Sequence, residues 1–377
     1  MKLSRLWLND FRTYTNLELP LVDGLTAIVG PNGSGKTNLI EAMGLLAMLK
    51  SFRGAPTESL IRKGADRAVV RAEGERDGRP VLIELELSQG RTRAQVNRQR
   101  LARSRDLLGA LRVTVFAPDD LALVKDGPAV RREFLDDLVV SLQPSADLVC
   151  SDFDRVVRQR NALLKNVPMR NGRPALDDTT SATLDVWDQQ FAALGEQVLE
   201  LRYEVLADLV PLVGESYVQL AGRSAEVIAN YRASWGNGSL AAALDHERLN
   251  DLRRKTSTVG PHRDEISVYL NGFASRTEAS QGEQRTLALA LRLAGHRLVS
   301  ERIGEPPLLL LDDVFSELDE TRSRALLDSL VSGQTIITTA SELPPGTVPD
   351  QMLRHTGAEL RLDSAASRPA RSMFAQE

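Results

Sequence analysis

The chain has 377 residues, enough for about two or three domains and a large buried core; 42% are apolar and 26% charged, an ordinary soluble balance. A formal net charge of −4 excludes a global positive field toward DNA or anionic lipid, so any polyanion site must be a local patch. A single cysteine, Cys150, excludes an internal disulfide or a cysteine metal cluster, and the few scattered histidines argue against a His-rich metal site. No stretch approaches the ~18 apolar residues of a membrane span, and Met1-Lys2-Leu3-Ser4-Arg5 opens no secretory signal. A cytoplasmic protein with no membrane partner is expected.

In chain order, Leu3 to Leu8 reads as a strand, Asn9 to Tyr14 as a loop, and Asn16 to Pro20 as a second strand. The Asp23-Gly24 turn leads into Leu25-Thr26-Ala27-Ile28-Val29, a short, partly β-branched apolar run with the pattern of a buried strand. Next comes Gly30-Pro31-Asn32-Gly33-Ser34-Gly35-Lys36-Thr37, which fits G-x-x-x-x-G-K-[ST], a phosphate-binding loop. Its glycines allow a tight backbone ring with N–H groups turned toward phosphate oxygens. Lys36 is expected to reach the β- and γ-phosphates, and the Thr37 hydroxyl to be a ligand of Mg²⁺. Lys36 to Leu49 reads as a helix whose N-terminus faces the phosphates, where the helix dipole favours negative charge.

Three strand-like runs follow, Ala68 to Gly74, Pro80 to Ser88 and Arg93 to Val96, separated by the turn signals Arg76-Asp77-Gly78 and Gln89-Gly90. They predict an antiparallel β meander over about residues 66–97. Between Arg91 and Arg105 lie six arginines and no acid. They are either a solvated hairpin or a surface that contacts a nucleic-acid phosphate backbone without reading sequence. Leu111 to Phe116 then reads as a buried strand ending at Ala117-Pro118-Asp119-Asp120.

From Ala129 onward Val130, Phe134, Leu135, Leu138, Val139 and Leu142 share one helical face. Asn166 to Ser181 is polar and reads as a loop. Leu184, Trp187, Phe191, Leu194, Val198, Leu201 and Val205 then recur at spacings of 3, 4, 3, 4, 3 and 4, a seam stopped near Pro211. The seam suits packing within an antiparallel helical lobe better than a dimerisation zipper. The lobe is expected over residues 129–222, inserted into a nucleotide-binding domain made of 1–128 and 223–377.

Asn271-Gly272 is a turn after the strand Glu265 to Leu270, and Ser280-Gln281-Gly282-Glu283-Gln284 precedes a strongly apolar helix, Arg285 to Val299. Ser280 and Glu283 form S-x-x-E, a capping box that starts a helix with its N–H groups exposed. Leu308-Leu309-Leu310-Leu311-Asp312-Asp313 is a buried strand ending in two carboxylates, a Walker B pattern. Asp312 is expected to hold Mg²⁺ and Asp313 to orient or deprotonate the attacking water.

With this order of motifs the chain resembles the ABC-type ATPase heads of the SMC superfamily, and most closely the RecF family of recombination mediators within it. Ser280 to Gln284 resembles the family signature, where ABC-type heads carry Ser-Gly-Gly-Gln, and Ser316-Glu317-Leu318-Asp319 resembles the D-loop. Leu6 to Tyr14, with Asn9, Phe11 and Arg12, is similar to the opening strand and loop of these heads. Ala117 to Leu121, Gly127-Pro128, Arg131-Arg132 and Gly260-Pro261-His262-Arg263-Asp264 resemble segments of the RecF family. The helical insertion is too short for long coiled coils, and no zinc-hook cysteine pair is present. The resemblance implies an α/β fold: an SMC-like P-loop ATPase head with an antiparallel β subdomain and an inserted helical lobe. It further implies ATP and Mg²⁺ as cofactors, catalytic roles for Lys36, Asp313 and Ser280, and nucleotide contacts from Arg12, Ser280 and Gly282 beside the loop. The partners it implies are DNA (duplex and gapped or single-strand junctions), a second copy in an ATP-dependent homodimer, RecR and RecO.

Three departures bear on turnover. No glutamine follows the strand ending at Phe116, Thr339-Ala340-Ser341 stands where transporter ATPases have a switch histidine, and Asp313 stands where many ABC heads have the longer Glu. They predict a slow ATPase that acts as a switch; the resemblance implies that DNA stimulates it and that it serves DNA replication, DNA damage repair and the SOS response. A phosphate loop by itself also fits two other classes. A transporter ATPase subunit is disfavoured by the β meander, the missing histidine and the helical lobe. The ATPase part of an OLD-like nuclease would need a second carboxylate-rich domain, and too few residues follow Asp319, some of them in the polar tail after Ser364.

Overall fold

The computed structural model describes residues 1–76, 78–171, 173–330, 333–357 and 359–363. Asp77 of the first expected turn, Gly172 of the expected polar loop and the tail from Ser364 onward lie outside the described residues. Two units divide the chain: Met1–Asp120, Val218–Arg223 and Leu289–Glu377 form the first, and Leu121–Tyr217 with Ser224–Ala288 the second.

The first unit opens with β1 (Lys2–Phe11), β2 (Tyr14–Pro20), β3 (Leu25–Val29), α1 (Lys36–Met48), the single turn α2 (Thr57–Leu60), β4 (Arg67–Arg76), β5 (Arg79–Ser88), β6 (Arg91–Val96), β7 (Gln99–Arg100) and β8 (Val113–Phe116). The chain continues through α3 (Ala122–Lys125), α4 (Pro128–Leu142), α5 (Ala146–Asn166), β9 (Met169–Arg170), β10 (Arg173–Pro174), α6 (Asp178–Ala221), β11 (Val227–Arg232) and α7 (Leu240–Arg254). After β12 (Glu265–Leu270), β13 (Phe273–Ala274) and α8 (Gln281–Ile303) it closes with β14 (Leu308–Asp312), α9 (Glu320–Ser329), β15 (Thr335–Thr339), β16 (Gln351–His355) and β17 (Leu360–Leu362).

In the first unit one sheet runs β2-β1-β4-β5-β6-β7 and a second β17-β16-β3-β15-β14-β8. β16, β3, β15, β14 and β8 are mutually parallel, with β17 antiparallel at the edge. β14 and β15 are buried at every position, which is why Leu308–Leu311 is a continuous apolar run rather than an alternating one. The first sheet is antiparallel and buries one face: Ala68, Val70 and Ala72 of β4 and Ile83, Leu85 and Leu87 of β5 alternate with more exposed residues. They share a core with Leu6, Leu8, Ile28, Leu310, Ile336 and the α1 residues Leu39, Ile40 and Met43. Each buried valine, leucine, isoleucine or methionine among them contributes roughly 1.5–3 kcal/mol by leaving water. The expected meander is thus part of a larger sheet that β1 and β2 complete. The parallel order sets the carboxyl ends of β3, β14 and β15 side by side, where open α/β sheets bind ligands.

The second unit packs α5, α6 and α7 around Phe153, Val156, Phe191, Val198, Leu240 and Leu244. Its strands form the sheet β11-β12-β13 and the two-stranded sheet β10-β9. Here the structure differs from the expected lobe of 129–222, because residues 224–288 belong to the same unit. The ties are buried ion pairs between distant positions. Arg160 donates to Asp188 and Asp251 at 2.6 Å each and to Ser257 at 2.8 Å, and Arg202 grips Asp136 with two nitrogens at 2.7 and 2.8 Å while donating to the Pro261 carbonyl at 2.8 Å. Single contacts of this kind leave no periodic trace in a sequence.

The expected helix end near Pro211 is also corrected, since α6 runs through it to Ala221. Proline removes one backbone hydrogen bond, but the buried stripe that includes Leu209 continues past it with Val213, Tyr217 and Leu220, so burial outweighs the break. Among the described residues no helix is long and apolar enough to cross a membrane.

Candidate functional site

β3 ends at Val29, paired with Thr339 of β15, and the next residue has no room for a side chain. A Cβ on Gly30 would lie 2.4 Å from the His355 carbonyl oxygen. Gly33 and Gly35 hold φ of 77° and 109°, the left-handed region that glycine enters without steric cost. Gly35 is the N-cap of α1, so the helix starts at Lys36 and offers its first N–H groups to the loop. The buried Lys36 donates from Nζ to the Gly30 carbonyl at 2.7 Å and the Pro31 carbonyl at 2.9 Å. Burial lowers its pKa, while the Asp313 and Asp312 carboxylates act in the opposite sense. The Ser34 hydroxyl oxygen is buried without a hydrogen-bond partner, an orphaned group that a phosphate oxygen would satisfy.

Asp312, only 5% exposed at the end of β14, accepts from the Thr37 hydroxyl at 3.0 Å and the Thr338 hydroxyl at 2.7 Å. Burial raises its pKa, and the two hydroxyl donors pull the other way. The converging donors are all hard oxygens, which suits Mg²⁺; Thr37 and Asp312 are the residues that would hold it, and the ion would neutralise charge on the β- and γ-phosphates. Asp313 has a left-handed φ of 51°. Its N–H donates to the Thr338 carbonyl at 3.0 Å, and its Oδ1 accepts from the Ala340 N–H at 3.3 Å. The two neighbouring carboxylates therefore serve different partners. Downstream, the Ser316 hydroxyl donates to the Asp313 carbonyl at 2.7 Å, and Asp319 caps α9 by accepting from the Arg322 N–H at 2.8 Å.

The signature-like segment starts α8 with the expected capping box. The Glu283 N–H donates to the Ser280 hydroxyl oxygen at 3.3 Å, while Glu283 Oε2 accepts from the Ser280 N–H at 3.0 Å and the Ser280 hydroxyl at 2.9 Å. Gln284 is buried and donates to the Ser275 and Arg276 carbonyls at 3.0 Å each, anchoring the loop before the helix. Gly282 lies in the first turn of α8.

Arg12, expected as a nucleotide contact, is tied to α1 and α2. Its Nε and Nη2 each reach the fully buried Glu41 of α1 at 2.7 Å, and Nη1 donates to the Ser59 carbonyl at 3.0 Å. Its guanidinium thus braces α1 from the side. In the arginine-rich stretch Arg93 pairs with Glu86 and Arg103 with Asp106, while Arg91, Arg98 and Arg100 are exposed on or beside the β6–β7 edge. Where ABC heads have a glutamine after β8, Asp120 accepts from the Ala117 N–H and pairs with Arg292 at 2.7 Å.

Sequence reasoning gave no role to Thr338, Glu41 or His355. Thr338 lies in a buried Thr-Ile-Ile-Thr-Thr run, where two hydroxyl residues at a strand's carboxyl end were the available signal. Glu41, an acid among apolar helix positions, was visible as an anomaly. His355 sits in no motif.

A phosphate loop and a β14 carboxylate pair on the two-sheet unit, in a chain that also carries a capped signature-type helix start, define an ATPase head of the SMC type. In agreement, the family described as RecF/RecN/SMC N terminal domain matches residues 2–344. The chain is 42% identical to the DNA replication and repair protein RecF of Streptomyces avermitilis, covering 90% of this chain and 94% of the relative. It is 40% identical to the RecF of Kineococcus radiotolerans, covering 90% and 93%. A solved structure of the recombination mediator protein RecF with ATP, from the RecFOR pathway, superposes with a TM-score of 0.86 at 27% identity over 96% of this chain and 98% of that one. The Smc head domain of Pyrococcus furiosus, at 18% identity and a TM-score of 0.54, shares the fold. The chain belongs to the RecF family of DNA replication and repair proteins, ATPases of the ABC type.

Proposed function

We propose that this chain is a cytoplasmic, ATP-gated DNA-binding protein of recombinational repair. Mg²⁺ and ATP bind at the loop, two copies close over the nucleotide, the dimer holds DNA at gaps or junctions and helps to load recombinase with RecR and RecO, and slow hydrolysis releases it. The observation that carries the reading is the convergence of Lys36, Thr37 and Asp312, from motifs at opposite ends of the sequence, at the carboxyl ends of the parallel strands. Lys36 would leave the loop carbonyls to pair with phosphate charge, the α1 N–H groups would hold phosphate oxygens, and Thr37 with Asp312 would keep the metal in place. Asp313 is the residue to orient water. Its side chain is one methylene shorter than Glu, which suits slow turnover. Ser280, at the N-terminus of α8, would meet the γ-phosphate bound by the other copy, and Gly282 leaves that approach uncrowded.

DNA binding with and without a slowly hydrolysed ATP analogue, across duplex, single-stranded and gapped substrates, tests this reading. Tighter binding with the analogue, strongest on gapped duplex, is expected; equal binding with and without it would contradict ATP gating. The exposed Arg91, Arg98 and Arg100 are the proposed backbone contacts. Replacing all three with Ala should flatten the salt dependence of DNA binding by up to about 3 phosphate equivalents and leave ATP binding unaffected.

A further inference from the structure

β16 lies parallel to β3, with Leu353 opposite Ile28 and Arg354 opposite Val29, so the next residue along, His355, comes level with Gly30. Its backbone closes one end of the phosphate loop: the His355 carbonyl oxygen and Cβ would lie 2.4 and 2.9 Å from a Cβ on Gly30. The side chain reaches toward the other end. His355 Nε2 is 3.0 Å from the Tyr14 hydroxyl, which is in turn 3.1 Å from the Gly35 carbonyl.

The direction of every bond in this chain is fixed. The Gly357 N–H, 3.1 Å from His355 Nδ1, can only donate, so Nδ1 carries the lone pair. A neutral imidazole then holds its proton on Nε2 and donates it to the Tyr14 oxygen. Tyr14 in turn donates to the Gly35 carbonyl. Burial, and next the Lys36 charge, lower the His355 pKa, and burial raises that of Tyr14, so both groups stay neutral at pH 7. Across the sheet from His355 stand Gly30 and Leu360, so among the described residues Tyr14 of β2 and Lys36 of α1 are the titratable groups that face it.

The target of the chain matters. In a trans peptide the C=O and the following N–H point opposite ways, so a carbonyl of Gly35 held toward Tyr14 aims the Lys36 N–H away from it. In a phosphate loop that amide is one of those that meet phosphate oxygens. We propose that Tyr14 and His355 are positioning residues for the phosphate loop, fixing the Gly35–Lys36 peptide plane so that the α1 N-terminus is set for phosphate before nucleotide arrives. The inference rests on the reading of this loop as an ATP site.

The test measures ATP affinity and ATPase kinetics on the full chain. Tyr14→Phe keeps the ring and removes the link; it should raise the ATP Kd and KM about five- to thirtyfold, the effect of a lost hydrogen bond and a stranded Nε2–H, with kcat within about twofold of wild type. His355→Leu should do the same. His355→Gln should restore affinity, because its amide can donate to Tyr14 as Nε2 does. Tyr14→Phe binding ATP as wild type does, or equal losses in His355→Leu and His355→Gln, would overturn the inference. If His355→Leu does not fold, Tyr14→Phe decides alone. Lys36→Ala separates the two failures: wild-type ATP binding there would mean that the loop itself is misread.

Discussion

The Thr37 hydroxyl donates to the Asp312 carboxylate at 3.0 Å, across a sequence separation of 275 residues. This one bond joins the phosphate loop to the end of β14, and both oxygens belong to the proposed Mg²⁺ site. Asp312→Asn keeps the shape and removes the charge. The variant should lose the gain in ATP affinity that Mg²⁺ gives wild type, while binding in EDTA stays close to wild type. Titrating ATP with and without Mg²⁺ checks it, and an undiminished Mg²⁺ effect would remove Asp312 from the metal site.

Lys36 is buried, and its ammonium is held by carbonyl dipoles and by the nearby Asp312 and Asp313. Lys36→Ala should abolish ATP binding, because a desolvated phosphate charge loses its partner. Lys36→Arg should keep binding and slow turnover, since a planar fork cannot reproduce the placement of a compact ammonium. Undiminished hydrolysis in both variants would contradict the assignment.

His296 predicts a pH dependence of stability. It is 2% exposed on α8, with Nδ1 3.1 Å from the Thr114 hydroxyl, and burial pushes its pKa from 6.5 down to about 4. Between these values the unfolded chain binds the proton and the folded chain does not. Folding stability is therefore full above pH 6.5 and falls as pH drops toward 4, by about 2 kcal/mol from this residue between pH 7 and 5. His296→Leu should lose correspondingly less stability over that interval in urea unfolding. An unchanged pH slope would show that His296 does not titrate between the two states.

The parts legible in the sequence are those that a local pattern specifies. β3 and β12 fall at their expected residues because each is a short apolar or alternating run bounded by turns. The loop motif, the Asp312-Asp313 end of β14 and the Ser280–Glu283 cap are likewise written in a few adjacent residues. What stayed hidden depends on contacts between remote positions. Arg160 meeting Asp251 fixes how far the second unit extends, and Thr338 completes the oxygen cluster at Asp312. Arg12 shows the same limit: its pairing with the buried carboxylate of Glu41 on α1 joins positions that share no local pattern.

The most direct test of ATP-gated pairing is the solution mass with and without Mg-ATP. Ser280 begins α8 with its hydroxyl and N–H bound to Glu283, and an anion at that helix N-terminus would come from the other copy's nucleotide. Ser280→Arg fills that position with a long side chain but leaves the loop around Lys36 untouched, so ATP binding by the monomer should persist while dimer formation is blocked. Asp313→Asn should bind Mg-ATP, fail to activate water, and remain mostly dimeric. Wild type should be monomeric without nucleotide and partly dimeric with it. A Ser280→Arg protein that dimerises with Mg-ATP as wild type does would contradict the shared nucleotide site and leave Ser280 a helix cap alone.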